Sequence, residues 1–590
     1  MPVLATTNFN IILSVLGGWV SLFGLVSYLC KESFYLSEAL ISLVAGVAFS
    51  PHAANFIRPL EYALGSTENL EAITLAFSRL VLGVQLILAG VQLPSRYLKK
   101  QWRALLILLG PIMAAMWLAT SLLIWALVPG MHLLHALAVG ACVTPTDPVL
   151  SAVIVKGKFA DGNVPPDLQK IIIAESGAND GLGYPFLFFA LYLIKYTGPV
   201  GSVAEEGGAR AAMGLWFGET WGYTILLSVV YGAAVGWLAK ELLHWAEARK
   251  FVDRESFLVF AISLALFIVG TCGMIGSDDV LACFIAGNVF TWDDWFRLET
   301  LDDSLQPTID MLLNVSIFMW YGAVCPWAEF HQNSVLPLGR LVALGILVLL
   351  LRRLPWVFAV HRYIPQIEEV RQAIFVGFFG PVGVSAIFYL YIMREFLKTL
   401  EVDGEPRADV KDLAETVNVV VWFITICSIV VHGLSIPLGK LGFYLPRTIS
   451  RGITPAPSND GSDSPLPFTI GSGVSTFAAL ADLRRRSRGE PQEASSASSP
   501  PSGRPVYRIG GTVIPRRQDA GAADGVVPDR REESNAGKGF LDDSLIGAVE
   551  TNMSPPGQGS APYSGRTIRF PDEPALADGQ ATGSPVSPKP

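Results

Sequence analysis

Three stretches of an otherwise apolar chain carry side chains suited to chemistry. The first is Thr144-Pro145-Thr146-Asp147-Pro148. A proline has no N–H, so the carbonyl four residues earlier loses its helical partner. Pro145 and Pro148 thereby release the carbonyls of Ala141 and Thr144. Two prolines so close unwind a helix locally, and unwound backbone at membrane depth is tolerated only inside protein or beside water. Freed carbonyls, the hydroxyls of Thr144 and Thr146 and the Asp147 carboxylate are hard oxygen donors of the kind that hold an alkali cation. Asp147 also reads as the cap of the half-helix that follows, and the segment alone does not choose between the two.

The second stretch is Glu175-Ser176-Gly177-Ala178-Asn179-Asp180. At ~100° per residue, Glu175, Ser176, Asn179 and Asp180 share one arc of about 140° on a helix. Ile171–Ile173 and Pro185–Leu191 around it are strongly apolar. A hydrogen-bonded helix–helix seam accounts for Ser176 and Asn179. It does not account for two carboxylates, because an ionised side chain at the centre of a bilayer costs roughly 2.5–3.5 kcal/mol. The third stretch is Gly377-Phe378-Phe379-Gly380-Pro381-Val382-Gly383, where Pro381 frees the carbonyl of Gly377 and the glycines relax the backbone.

Other ionisable groups accompany these three. Arg352 and Arg353, in Leu351-Arg352-Arg353-Leu354-Pro355, lie near one end of an apolar run. One can snorkel to an interface; the other needs an internal partner, for which Glu175 is a candidate. Asp278 and Asp279 open a short apolar run, either as charges favoured at a helix N-terminus or as accessory groups on the cation's path. His132 and His135 have ligand-like spacing but stand in a connecting turn without further ligands, so no transition-metal site is expected. The six cysteines contain no C-x-x-C pair and read as small buried hydrophobes rather than a disulfide or zinc framework.

The elements that position these groups are apolar runs near 10–30, 36–54, 70–94, 102–128, 133–155, 168–195, 214–240, 254–274, 278–292, 307–330, 335–360, 371–396 and 415–438. Most approach the ~20 residues a helix needs to cross a bilayer, so the reading is an all-α integral membrane body of about thirteen helices, the ninth being short. The Gly/Pro-interrupted segments fall in the fifth and twelfth helices, seven apart. Interrupted helices in corresponding positions of two halves point to the site of an inverted-repeat transporter. Lys and Arg cluster in alternate connections (Arg96, Lys99, Lys100 and Arg103; Lys156 and Lys158; Arg249, Lys250 and Arg254; Arg362). That bias places the N-terminus outside and the C-terminus inside. The first apolar run lacks a basic flank and reads as a retained helix rather than a cleaved signal.

Composition divides the chain in two. One domain per ~150 residues would suggest about four domains in 590 residues, but mean hydropathy is +0.44 and only 16% of residues are charged, against ~25% in soluble domains. Residues 1–445 hold the apolar runs. Residues 446–590 are polar and rich in Pro, Gly and Ser, and read as a largely disordered cytoplasmic tail. Gly439–Arg447 mixes Lys440 and Arg447 with Phe443 and Tyr444 and suits the inner leaflet. The basic cluster Arg484-Arg485-Arg486-Ser487-Arg488 reads as a solvated charge run or as a kinase or lipid contact. A net charge of −8 gives no sign of nucleic-acid binding, and no G-x-x-x-x-G-K-[ST] sequence suggests that ATP drives a cycle.

The ordered series Thr144–Leu150 (TPTDPVL), Glu175–Gly181 (ESGANDG), Gly276–Asn288 (GSDDVLACFIAGN) and Phe378–Val384 (FFGPVGV) resembles the monovalent cation/proton antiporters, and among them the fungal plasma-membrane sodium/proton antiporters. The likeness covers roughly residues 8–450. It implies a six-helix core with crossed, broken helices, a dimerisation domain and homodimers. It implies no cofactor, with Na+, K+ or Li+ and protons as transported substrates, and a plasma-membrane location. By the same likeness Asp180 is the principal carboxylate for cation or proton and Asn179 its partner. Ser176, Asp147 and the Thr146 carbonyl complete the shell, and Glu175 pairs with Arg353. Gly177 and Ala178 depart from the bulkier residues of many relatives. The implied cycle is competition of cation and proton for Asp180 under alternating access, which requires that carboxyl to titrate near cytoplasmic pH rather than at the ~3.9 of a free aspartate.

Three other classes are weighed. An intramembrane aspartyl protease would want Tyr-Asp and Gly-x-Gly-Asp, which do not occur; the one Pro-Ala-Leu, Pro574–Leu576, is in the tail. A cation channel would use a ring of repeated filter loops, absent from this sequence. Another ion/proton exchanger of the same fold, an anion/proton exchanger included, is the nearer alternative.

Overall fold

Apolar runs of bilayer length become helices, and prolines decide where those helices stop. The computed structural model describes residues 6–28, 30, 34–155, 160, 162–198, 205–402, 405–453, 508–509 and 512–513. In chain order its main helices are α1 (Asn8–Tyr28), α2 (Glu38–Phe49), α3 (Thr67–Gln92), α4 (Trp102–Leu127), α5 (Leu133–Cys142), α6 (Pro148–Val155), α7 (Pro166–Gly181) and α8 (Tyr184–Tyr196). They continue as α9 (Gly208–Ala248), α10 (Arg254–Ile275), α11 (Asp279–Phe290), α12 (Leu305–Val324), α13 (Leu338–Leu351), α14 (Leu354–Val360), α15 (Val370–Phe378), α16 (Val384–Lys398) and α17 (Ala408–Ile453). Among the described residues, seven spans are long and apolar enough to cross a membrane.

All thirteen apolar runs contain helix, and four are interrupted. The breaks at 143–147 and 379–383 are those marked by Pro145, Pro148 and Pro381. Two more lie at 182–183 and 352–353, where Pro185 and Pro355 open the following half-helices. A proline is tolerated in the first turn of a helix, where its missing N–H has no partner to lose. An Arg-Arg or a Gly-Leu-Gly before such a proline is therefore a place to stop.

The short ninth segment is α11, buried along nearly its whole length. Gly232 and Gly236, four apart on α9, admit the backbone of Ala282 and Ala286, and Gly287 admits the backbone of Ile87 on α3. Small residues at this spacing let helices approach closely where no hydrophobic gradient drives them together. Polar contacts pin α3 to its neighbours: Ser78 Oγ and Tyr321 Oη are 2.6 Å apart, Trp320 Nε1 donates to Thr74 Oγ1 at 3.1 Å, and Arg394 pairs with Glu71 at 2.6 Å.

The exterior is apolar. Leu25, Trp125, Phe217, Trp237, Phe267 and Met274 are exposed on α1, α4, α9 and α10, while Glu175, Asp180, Arg352 and Arg353 are buried. Outward apolar faces around an ionisable interior are the pattern of a body solvated by lipid. A two-residue ladder, β1 (Glu401–Val402) with β2 (Glu405–Pro406), closes the connection from α16 to α17. The backbone of α17 runs through Gly439–Arg447 to Ile453, past the 445/446 division. Lys156, Lys158, the Arg484–Arg488 cluster and nearly all of the tail lie outside the described residues.

Candidate functional site

Two broken helices cross at their breaks. The Asp147 N–H donates to the Pro381 carbonyl at 2.9 Å. The Asp147 carboxylate accepts the Leu150 N–H at 3.2 Å and, through its other oxygen, the Val384 N–H. One carboxylate thus serves the first turns of both α6 and α16, where N–H groups have no helical partner and the helix dipole is positive. Gly383 is required here, since a Cβ at that position would run into the Asp147 carboxylate. Asp147 is therefore a double cap.

The opposite ends of the breaks meet Arg352. Its Nη1 donates to the carbonyls of Val143 (2.9 Å), Thr144 (2.9 Å) and Pro145 (3.3 Å), and its Nη2 to that of Gly380. A guanidinium so covers the negative ends of α5 and α15. This changes the place of Thr144: the carbonyl that Pro148 frees is taken by Arg352, and its hydroxyl donates to the Gly140 carbonyl at 2.8 Å. The Ala141 carbonyl is likewise engaged, by the Thr144 N–H at 3.2 Å. The unwound backbone carbonyls of 143–145 thus face an arginine rather than an open cavity.

Arg353, one residue on, points to α7. Its two terminal nitrogens meet the two Glu175 oxygens at 2.5 and 2.7 Å, and its Nε donates to the Val376 carbonyl at 2.9 Å. The pair is buried and bidentate, a geometry that favours arginine over lysine. It ties the α13–α14 break to α7 and to the end of α15. Gly377 and Gly380 accommodate this junction: a Cβ on the first would press on the Leu354 backbone and one on the second on the Arg353 side chain.

The polar face of α7 lies against the first break. Asn179 clamps Thr146, accepting its N–H at 3.1 Å and donating to its hydroxyl at 2.7 Å. The hydroxyls of Ser176 and Thr146 are 3.1 Å apart. Asn179 therefore holds the unwound segment in register with α7 rather than pairing with the Asp180 carboxylate. Asp180 differs from all of these. It is fully buried, and neither carboxylate oxygen has a hydrogen-bond partner among the described residues. Its own carbonyl accepts from Tyr389 Oη at 2.5 Å.

The two aspartates of α11 separate into different roles. Asp278 caps the helix through one oxygen, accepting the N–H groups of Val280 and Leu281 at 3.0 Å each, while its other oxygen is buried without a partner among the described residues. Asp279 pairs with Arg79 at 2.6 Å. Sequence reading missed Arg79 and Tyr389, which meet their partners across about 200 residues of chain. No local spacing signals such a contact. His135 lies 3.4 Å from Asp409, which pairs with Arg407 at 2.6 Å, away from the crossing.

The chemistry open to this arrangement follows from charge. An ionised carboxylate buried without a partner costs several kcal/mol. Among the described residues the crossing supplies no counter-charge to Asp180, because Arg352 and Arg353 are both engaged elsewhere. A proton or a small cation removes the cost, and the two exclude one another on a single carboxylate.

A family model described as "Sodium/hydrogen exchanger, transmembrane" matches residues 19–438. The Na(+)/H(+) antiporter 2 of Zygosaccharomyces rouxii is 36% identical over 451 residues, covering 75% of this chain and 54% of the relative. A Na(+)/H(+) antiporter of Saccharomyces cerevisiae is 34% identical over 77% of this chain and 46% of its own length, and one of Schizosaccharomyces pombe is 31% identical over 75% and 93%. The chain thus spans about half the length of the first two and nearly all of the third. Among solved structures, the sodium proton antiporter MjNhaP1 of Methanocaldococcus jannaschii superposes with a TM-score of 0.52 at 17% identity, over 72% of this chain and all of that one. The likeness is one of fold.

Proposed function

The chain belongs to the sodium/hydrogen exchanger family, and from that premise we propose that it exchanges Na+, with K+ and Li+ as further substrates, for protons across the plasma membrane. The observation that carries this reading is the Asp180 carboxylate, buried at the helix crossing with both oxygens unpartnered among the described residues. Asp180 holds either a proton or a cation. Ser176, Thr146 and Asp147 stand around the same crossing and offer further oxygens to the cation. Thr144 is set apart from them, because its carbonyl already accepts from the Arg352 guanidinium and its hydroxyl is turned to the Gly140 carbonyl.

The cycle proceeds without a separate proton site. Facing one side, Asp180 releases its proton and takes a cation. The core then moves relative to the rest of the body, and a proton from the other side displaces the cation. Asp147 and Arg352 keep the crossing intact during this motion, since they satisfy the ends of all four half-helices at once. The free oxygen of Asp278 is an accessory position on the cation's path.

The test is cation-induced collapse of an imposed pH gradient in vesicles carrying the purified chain. Pulses of Na+, Li+ and K+ are expected to dissipate the gradient, and their ranking gives selectivity. Absence of a response to all three in folded protein would remove the reading. Cation flux without proton coupling would indicate a channel, and chloride-coupled proton flux an anion/proton exchanger.

A further inference from the structure

We propose that the hydroxyl of Ser385 is a direct ligand of the transported cation and favours Na+ and Li+ over K+; this rests on Asp180 being the cation's carboxylate. Ser385 is the second residue of α16, on the far side of the second helix break, and is 1% exposed. A serine inside a helix normally donates its hydroxyl to the carbonyl one turn back. Thr74, Ser78, Ser121 and Ser151 do so here. For Ser385 the carbonyl four residues earlier is that of Pro381, which lies in the break and accepts the Asp147 N–H. Unlike those side chains, Ser385 makes no hydrogen bond to that carbonyl.

Its hydroxyl oxygen is buried with no hydrogen-bond partner among the described residues. It lies beside the Asp180 carboxylate without forming a well-shaped hydrogen bond to it. One turn further along the same face of α16, Tyr389 reaches the Asp180 carbonyl at 2.5 Å, so this face of α16 is held against α7 at that residue. Three buried oxygens without partners, two on Asp180 and one on Ser385, thus converge from two helices. An unmade hydrogen bond to a buried polar group costs about 1–3 kcal/mol, and a bound cation satisfies all three oxygens together. The positive N-terminus of α16 would oppose a cation there, but the Asp147 carboxylate on the Val384 N–H offsets it.

Ser385 brings the second broken helix into contact with the ion, so the shell is completed only while α7 and α16 stay together. Selectivity depends on the number and field strength of the coordinating dipoles. Removing one neutral oxygen penalises a small, strongly hydrated ion more than a large one.

The experiment compares wild type, Ser385→Ala and Asp180→Asn in proteoliposomes with Na+, Li+ and K+ titrations. Alanine keeps the backbone and nearly the volume, and monodispersity in detergent verifies its fold. In Ser385→Ala the apparent KM for Na+ and Li+ is expected to rise roughly tenfold, equivalent to about 1.4 kcal/mol. For K+ it should change far less, with maximal rates near wild type, so the Na+:K+ preference falls. Unchanged KM values for all three cations overturn the inference, while an inactive Asp180→Asn shows that the exchange reading survives. An equal rise for all three, or a loss confined to maximal rate, also overturns it, because a packing defect produces either. Exchange persisting in Asp180→Asn would instead remove the reading on which the inference rests.

Discussion

The Asp180→Asn variant is expected to fold normally and to lose cation-coupled proton flux by about a hundredfold or more, ~2.8 kcal/mol or greater at 1.4 kcal/mol per tenfold. The amide has the same shape as the carboxylic acid, so the close contact of α7 with α16 through Tyr389 and the Asp180 carbonyl is kept. What disappears is the ability to release a proton and bear a charge for the cation. The substitution also removes a buried carboxylate that has no partner among the described residues, so thermal stability in detergent should be equal to or above that of wild type. Loss of flux together with retained or raised stability separates a transport role from a structural one. A variant that is inactive because it has unfolded would show the opposite stability change.

The second large effect is structural. Arg353 and Glu175 form a buried bidentate pair, and removing one partner leaves the other as an uncompensated charge. Breaking a buried pair this way costs about 3–5 kcal/mol. Arg353→Ala and Glu175→Gln are each expected to lower the thermal transition and surface yield sharply. Replacing both at once with apolar residues of similar volume should recover most of the stability, because no lone charge remains. Thermal melts of the two single variants and the double variant measure this. If the singles melt like wild type, the pair contributes nothing to holding α7 against the α13–α14 break. Asp180 lies five residues from Glu175 on the same helix, so a displaced α7 should also weaken transport in whatever folded protein survives.

Much of this arrangement was legible from residue types. Proline chemistry marked the breaks at 143–147 and 379–383, because a missing N–H acts locally and needs no tertiary context. The carboxylates of α7 were conspicuous for the same reason: the cost of burying a charge is a property of the side chain. What the reading left open was which oxygens remain available. The Thr144 carbonyl looked free from Pro148 alone, but Arg352 reaches it from 208 residues away. The choice between Arg352 and Arg353 depends on the break between α13 and α14, which aims adjacent residues at different targets. Asp147 serves as a cap for α6, as its position before Pro148 suggests, and equally for α16, which its local sequence does not suggest. Ser385 gave no local signal, since whether a buried hydroxyl finds a partner depends on what packs around it across the crossing. Local chemistry was readable; satisfaction across the crossing was not.

The central claim is that cation and proton compete for one carboxylate, and the most direct test is the apparent KM for Na+ measured from acid to alkaline pH in symmetrical vesicles. Competition by mass action predicts that KM rises roughly tenfold for each unit of pH lost on the acid side, while the maximal rate at saturating Na+ stays the same. On the alkaline side KM levels off where the carboxyl is already ionised. A KM independent of pH, with only the maximal rate falling in acid, would mean that proton and cation bind at different places and would contradict the account.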